Sequence, residues 1–412
     1  MKQIITSLDI GSSYIKLIVG EVFKGRLFVL ACSTVKSKGI KKGIITNEEE
    51  ASTAIKEAFK KVEEILGTKL NRTVLIVPSY SASFVKSEGY TTINNEEGIV
   101  TGEDVTRALQ VSVYNRVSPN LELVSVSPRE FIIDEKEIVK DPKGMKAFKL
   151  SVNSILGMIP KKNVYPMINL LENLGIKVVD LAFGGLADYY EFRCDEYNNK
   201  TGVVINIGAH KTEISIVNEG MLTNAEVLDI GGRNIDRDIS YIYDISLEDS
   251  KLIKEKFALA TKERASTSEV IECLTKSNEH IKINQYEVSD IVYSRIREIL
   301  ELSKKQIKFL TKERISYIIV TGGTSELDGF KSVFKEIFGK SVEISKVDEL
   351  GVRNNIYSSS LGVIKLYAEK LKFREKVPST INEEEQGELF NSKKKINESS
   401  LLGKVYSYFF DN

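Results

Sequence analysis

The chain has 412 residues, 42% of them hydrophobic, which is enough for two to four folding units with their own cores. Lysine plus arginine equals aspartate plus glutamate at 58 each, so there is no global field for nucleic acid and no such partner is expected. Three widely spaced cysteines without CxxC spacing (Cys32, Cys194, Cys273) and two histidines (His210, His280) exclude a disulfide framework, a zinc cluster and a histidine triad.

In chain order, no signal peptide precedes Ile4, and no apolar run reaches the ~18 residues that span a bilayer, so a cytoplasmic location is expected. Residues 5–19 read as a strand, a short polar turn around Gly11 and a returning strand. A third strand follows at 27–31. Residues 39–45 form a loop into a helix capped by Asn47, with Glu48, Glu49 and Glu50 in its first turn, where the helix dipole favours acids. Ile55, Ala58, Phe59, Val62 and Ile65 follow helical spacing, Gly67 ends the helix, and 73–78 is another strand. Three strands, a helix and a strand make one half of a layered α/β unit.

The pattern changes after Tyr80. Residues 84–160 hold a short helix (102–113) and strand-like runs at 121–126, 130–133 and 148–159, with a turn at 141–145. They read as a compact α+β insert. A helix at 164–174, closed by Gly175, a strand at 176–181 and a helix at 186–192 lead to a second hairpin at 203–217, around Gly208. The first-half order then partly recurs. It runs through a strand (221–230), a Gly231–Gly232 loop, helices at 234–243 and 246–260, partial strand at 268–278 and a long helix (284–310) with Ile291, Ile296, Ile299, Leu300 and Ile307 near one face. A buried strand (315–320), Thr321-Gly322-Gly323-Thr324-Ser325 and a helix from about 327 to 338 complete it.

The two hairpins share an order: apolar strand, Asp or Asn, Ile-Gly, small polar residues, apolar strand. Such turns aim successive N–H groups at one point, and glycine lets a ligand approach the backbone. Gly322 and Gly323 would let an adenosine lie on the backbone in the same way. Three glycine turns in this order point to two related halves closing on one nucleotide.

These residues carry a resemblance. Leu8-Asp9-Ile10-Gly11-Ser12-Ser13, Asn206-Ile207-Gly208 and Val320-Thr321-Gly322-Gly323 resemble the phosphate-1, phosphate-2 and adenosine motifs of the actin, heat-shock chaperone and hexokinase superfamily. The stretches 39–45, 141–145, 228–232 and 357–362 are similar to the bacterial division protein family FtsA, the likeness running from residue 1 to about 370 and the Asp-Pro-x-Gly-Met turn being its most specific part. The resemblance implies an actin-like α/β fold of two ribonuclease H-like halves with a 1C insert. It implies subdomains 1A (1–83 plus 161–195), 1C (84–160), 2A (196–230 plus 306–372) and 2B (231–305). It also implies ATP with Mg²⁺, contacted by Asp9, Gly11, Ser12, Ser13, Lys16, Gly208, Ala209, His210, Lys211, Thr212, Gly231, Gly232, Lys254, Gly322, Gly323 and Thr324, with Asp9 and, through water, Asn206 at the metal. Members polymerise, here expected through 1C and its neighbours, and tether FtsZ to the inner face of the cytoplasmic membrane. Later division proteins are further partners of the family. The FtsZ tail docks on 2B, where Arg233, Arg237, Arg295 and Arg297 are candidates to meet an acidic peptide, the alternative being intradomain salt bridges.

The sequence departs from the family where chemistry would happen. The usual second motif is Asp-Ile-Gly-Gly-Gly-Thr-Thr-Asp. Here Asn206 takes the first acid's place, Ala209, His210 and Lys211 replace Gly, Gly and Thr, and Glu213 stands for the last acid as the one possible catalytic group. Asparagine keeps the oxygen but loses the charge, so binding with at most slow hydrolysis is expected. Two roles are open to Lys211: charge for a phosphate, or a solvent-facing position. His210 reads as a turn residue.

Residues 373–397 read as a disordered linker, polar and without apolar period. Residues 398–412 read as an amphipathic helix whose Leu401, Leu402, Val405, Tyr408, Phe409 and Phe410 would enter a membrane surface, the alternatives being a partner groove or docking on its own domain. Two rival readings stand beside this one. A PilM-type pilus-assembly adaptor shares the insert but lacks such a tail, and a chaperone- or sugar-kinase-type ATPase needs a substrate site that the sequence does not display.

Overall fold

The computed structural model describes residues 3–114, 116–339 and 345–373. It opens with three antiparallel strands, β1 (Gln3–Ile10), β2 (Tyr14–Phe23) and β3 (Arg26–Lys36). Ile4, Ile5, Leu8, Ile15, Leu17, Ile18 and Val19 are all fully buried, as in a sheet covered on both faces. A small ribbon, β4 (Ile40–Lys41) with β5 (Ile44–Ile45), leads to α1 (Glu48–Leu66). Asn47 caps this helix by accepting the Glu50 N–H at 3.2 Å, and Gly67 ends it at φ 72°, a left-handed conformation that glycine adopts without strain. Ile55, Ala58, Phe59 and Val62 are buried, whereas Ile65 lies roughly 70° from the centre of their stripe and is exposed. β6 (Arg72–Val77) then pairs parallel with β1.

The insert follows: β7 (Ser83–Thr92), α2 (Gly102–Val113), β8 (Leu121–Ile133), β9 (Glu137–Val139) and β10 (Lys149–Pro160), in sheet order β7-β10-β8-β9. It buries its own core of Val105, Ala108, Leu109, Phe131, Leu150 and Val152. The two strands expected at 121–126 and 130–133 are one. Asn153 pairs with Glu130 and Ser154 with Pro128, so Arg129 bulges out and the strand continues past a proline that cannot donate.

The chain returns through α3 (Tyr165–Asn173) and β11 (Lys177–Phe183), which lies parallel beside β6 and gives the order β11-β6-β1-β2-β3. Helix α4 (Gly184–Phe192) crosses to the second half. There β12 (Thr201–Ile207), β13 (Thr212–Asn218) and β14 (Met221–Leu228) repeat the antiparallel succession. Helices α5 (Gly232–Tyr243) and α6 (Leu247–Lys256) follow, then the hairpin β15 (Val270–Leu274) with β16 (His280–Asn284), and α7 (Gln285–Leu310). β17 (Tyr317–Thr321) runs parallel to β12, as β6 does to β1, for the order β14-β13-β12-β17. After α8 (Phe330–Phe338), α9 (Ser358–Phe373) returns to pack on β1 and β2.

Two helices therefore carry the chain between the halves, and they cross closely. A Cβ at Gly362 of α9 would lie 1.8 Å from the Ala187 carbonyl oxygen of α4, so only glycine permits this approach. The expected linker beyond residue 373 and the terminal helix at 398–412 lie outside the described residues.

Candidate functional site

A cleft of about 880 Å³ opens between the halves, and the ends of β1, β12 and β17 converge on it. Its first wall is the β1–β2 turn. Gly11 N–H bonds to Tyr14 O at 3.0 Å, and a Cβ on Gly11 would meet that oxygen at 2.9 Å. Ser12 Oγ accepts the Lys42 N–H at 2.8 Å, and Ser13 O accepts the Ser37 N–H at 2.9 Å. Asp9 and Lys16 are cross-strand partners, and the lysine reaches Asp9 Oδ2 at 2.5 Å and the Ile356 carbonyl at 2.7 Å. Lys16 thus joins the first turn to the segment that enters α9.

The opposite wall is the β12–β13 turn, with Gly208 N–H bonded to Lys211 O at 2.9 Å. The start of α5 is folded onto it: Gly232 N–H donates to Gly208 O (2.9 Å) and Arg233 N–H to Ala209 O (2.6 Å). A Cβ at Gly231 would come within 2.5 Å of Gly208 O and one at Gly232 within 2.6 Å of Thr324 Oγ1, which explains the paired glycines. Thr324 Oγ1 also donates to Gly208 O, at 3.3 Å. The third wall is Gly322–Gly323. Gly322 adopts φ +92°, and a Cβ there would lie 2.6 Å from both Asn206 Oδ1 and Ile207 O. The Gly322 backbone is thus packed directly on the end of β12.

Nearly all the expected contact residues line this one cleft: Asp9, Gly11, Ser12, Ser13, Lys16, Gly208, Ala209, His210, Lys211, Gly232, Lys254, Gly322, Gly323 and Thr324, with Asn206 and Glu213. Thr212 does not reach it; fully buried, it donates to Ile230 O at 2.8 Å and anchors β13 to the start of α5. Gly231 lies behind the turn for the reason given above. Lys254 sits in the wall, its Nζ 2.6 Å from Asp236 Oδ1 and 3.2 Å from Gly232 O. The Lys211 ammonium, at the cleft wall, pairs with Glu213 Oε2 at 3.1 Å and lies 5.6 Å from the centre of the Tyr80 ring. Glu213 is buried and accepts Ser79 Oγ at 2.6 Å. Burial, then the charges of Arg233, Arg237, Lys41 and Lys42, hold the His210 pKa below its usual value, so the ring is neutral at pH 7.

Asn206 donates its amide to Asp188 Oδ2 at 2.7 Å and to Ser359 Oγ at 3.4 Å. Asp188, on α4, is fully buried, and burial pushes its carboxyl up to about 6 against the hydrogen bonds from Ser358, Asn206 and Ser359. Sequence reasoning missed this cluster. Its one signal was an acid inside the apolar run Leu186-Ala187-Asp188-Tyr189. Tyr14 with Lys251 (2.8 Å) and Lys42 with Asp229 (2.9 Å) were also missed; they bridge the halves at the cleft mouth.

Among the described residues no three His, Cys, Asp or Glu side chains converge as a metal centre. A Mg²⁺ held chiefly by phosphates and water needs only one or two protein oxygens, and the Asp9 carboxylate with the Asn206 amide oxygen is a donor set that fits.

The four arginines expected on 2B do not share one setting. Arg233 lines the cleft and pairs with Asp236 at 3.4 Å, and Arg237 is exposed. Arg295 is bound to Asp238 at 2.6 and 2.9 Å and to Glu298, and Arg297 to Glu301 and Glu336. Arg295 also borders a separate surface pocket with Tyr241 and Ile242, which are 89% and 57% exposed. The six residues expected at a membrane surface lie outside the described residues, and no described helix is long and apolar enough to cross a membrane.

Comparison with known proteins bears on the resemblance. A family model described as cell division protein FtsA matches residues 203–362, and one described as the SHS2 domain inserted in FtsA matches 81–156. The chain is 28% identical over 364 residues to the cell division protein FtsA of Bacillus subtilis (strain 168), covering 88% of this chain and 83% of that one. It is 26% identical over 361 residues to that of Enterococcus hirae, covering 87% and 81%. Among solved structures, a PilM–PilN type IV pilus biogenesis complex aligns with TM-score 0.59 at 14% identity, covering 88% of this chain and 98% of that one. MreB5 of Spiroplasma citri bound to ADP aligns with TM-score 0.56 at 13% identity, covering 90% and 97%. These structures share the actin-like fold and, at such identities, the fold alone.

Proposed function

Since the chain belongs to the FtsA family of cell division proteins, we propose that it binds ATP with Mg²⁺ between its halves, polymerises, and tethers FtsZ filaments to the inner face of the cytoplasmic membrane as the division ring assembles. The observation that carries the nucleotide part is the convergence of Gly11, Gly208 and Gly322 on one cleft, where a Cβ at Gly11 or Gly322 would collide with backbone or with Asn206 and one at Gly208 would be tight against Lys211 O at 3.2 Å. The MreB5 structures bound to ADP and AMPPNP share the overall fold and support the same reading. Asp9 and, through water, Asn206 would hold Mg²⁺, which supplies charge neutralisation at the phosphates. Hydrolysis is slow in this reading: position 206 carries no charge, and Lys211 compensates Glu213, the one candidate catalytic group.

The FtsZ C-terminal peptide would dock on the 2B face. Of the four candidates the exposed Arg237 suits an acidic peptide best, since Arg233 belongs to the cleft and Arg295 and Arg297 are paired with acids of the same domain. Self-association would use the insert, whose Phe148 and Tyr114 are 85% and 75% exposed. The tail would act from residues 398–412. Full burial of a large apolar side chain is worth roughly 1.5–3 kcal/mol, interfacial insertion recovers only part of it, and ordering the helix costs about 1–2 kcal/mol per residue. One tail therefore binds weakly, and many aligned along a polymer bind together at high effective concentration.

Pelleting with liposomes, with and without FtsZ filaments, tests the whole reading. Removal of residues 398–412, or Phe409→Asp, should abolish liposome binding and leave ATP binding intact. Truncated protein that still pellets with liposomes would put the membrane contact elsewhere. Calorimetry without heat on adding excess Mg-ATP would refute the cleft reading, and FtsZ lacking its terminal peptide yet binding unchanged would refute the docking site.

A further inference from the structure

The end of β12 is joined to both crossover helices by one buried polar cluster. Asp188 of α4 accepts Ser358 Oγ and Ser359 Oγ, both at the start of α9 and both at 2.7 Å, on one carboxylate oxygen. Its other oxygen accepts the Asn206 amide at 2.7 Å. Thr321, at the end of β17, donates to Ser358 Oγ at 2.8 Å. Asp188, Thr321, Ser358 and Ser359 are buried. Asn206 and Ser359 face the cleft, while Asp188 stands behind them.

We propose that Asn206 is a positioning residue that ties the phosphate side of the cleft to α4 and α9 through Asp188, and that Asp188 is the reason this position holds an amide. The short asparagine side chain brings an N–H₂ to Asp188 while its oxygen stays toward Gly322. An aspartate has no donor to offer. It would set two carboxylate oxygens about 2.7 Å apart, as the present pair is spaced. Like charges in a buried site repel. The missing acid of the second motif is, on this argument, moved one layer inward: the carboxylate is at 188 and the amide at 206.

The proposal concerns the coupling of the halves, and only its binding arm rests on the nucleotide reading. The experiment compares the wild-type chain with Asn206→Asp, Asp188→Asn and the exchange carrying both. Thermal melting without nucleotide comes first. Asn206→Asp should melt several degrees lower or fail to fold, and the exchange, which restores one amide facing one carboxylate, should regain most of the loss. ATP titrations at fixed Mg²⁺ come second. At a temperature where circular dichroism shows each chain folded, Asn206→Asp should bind ATP at least tenfold more weakly and the exchange should recover binding.

An Asn206→Asp chain that melts and binds like wild type overturns the proposal. So does an exchange that folds no better than Asn206→Asp. If wild type itself binds no ATP, the cleft reading fails while the melting arm still decides this proposal.

Discussion

Replacing Asp236 by alanine removes the counter-charge of two cations at once. Lys254 Nζ lies 2.6 Å from Asp236 Oδ1, with the side chains 8% and 3% exposed, and Arg233 Nη1 lies 3.4 Å from Oδ2. After the substitution the ammonium keeps only the Gly232 carbonyl, at 3.2 Å. Breaking one side of a buried pair costs about 3–5 kcal/mol, because a charge remains without compensation. Arg233 is 29% exposed and can turn to water, so it adds little. Asp236 sits on α5 among the buried Ile235 and Ile239, and the loss falls on the second half. For a folding unit of about 150–250 residues, 1 kcal/mol moves the melting temperature by about 2–4 °C, which makes the expected fall roughly 6–20 °C. Adding Lys254→Met removes the stranded charge, and apolar replacement of a buried pair is often neutral or better. Scanning calorimetry without nucleotide should therefore show the Asp236→Ala/Lys254→Met chain melting above Asp236→Ala. A single variant within about 1 °C of wild type, or a double variant melting below the single, would refute this account of the pair.

Gly322→Ala forces a side chain into φ +92° and a Cβ to 2.6 Å from Asn206 Oδ1 and Ile207 O. Strain of about 1–3 kcal/mol and loss of ATP binding are expected, measured by calorimetry at a temperature where circular dichroism shows the variant folded. Burial raises Glu191 up to about 7, despite Lys365 at 3.0 Å. The native state thus holds the proton that the unfolded chain releases near pH 4.3. The stability contributed by Glu191 is largest below that pH and declines as pH rises to about 7. Glu191→Gln should gain on wild type by up to about 3 kcal/mol between pH 4 and 8, and parallel urea-unfolding curves across that range would contradict it. Lys36→Ala breaks the pair with Glu248, whose side chains are 70% and 80% exposed, and should leave the unfolding curve in the same assay superimposable on that of the wild type.

What the sequence alone determined is what local pattern encodes. The β1–β2 and β12–β13 hairpins, the Asn47 cap with its acidic first turn, and the glycine turns at 11, 208 and 322 follow from strand alternation, capping chemistry and backbone freedom within a few residues. The i to i+3 and i to i+4 pairs of Arg295 with Glu298 and Arg297 with Glu301 belong to the same class, since helix spacing alone brings them together. Tertiary structure decided the rest. No pattern in the chain joins Asp188 to Asn206 and Ser359, which are 18 and 171 residues away, or Arg295 to Asp238 across two helices. It likewise decided that Thr212 and Gly231 support the turn from behind while their neighbours face the cleft. A hairpin needs only its own residues to form. A buried carboxylate needs donors from wherever the fold can bring them, and those donors are fixed only once the two halves have closed on α4 and α9.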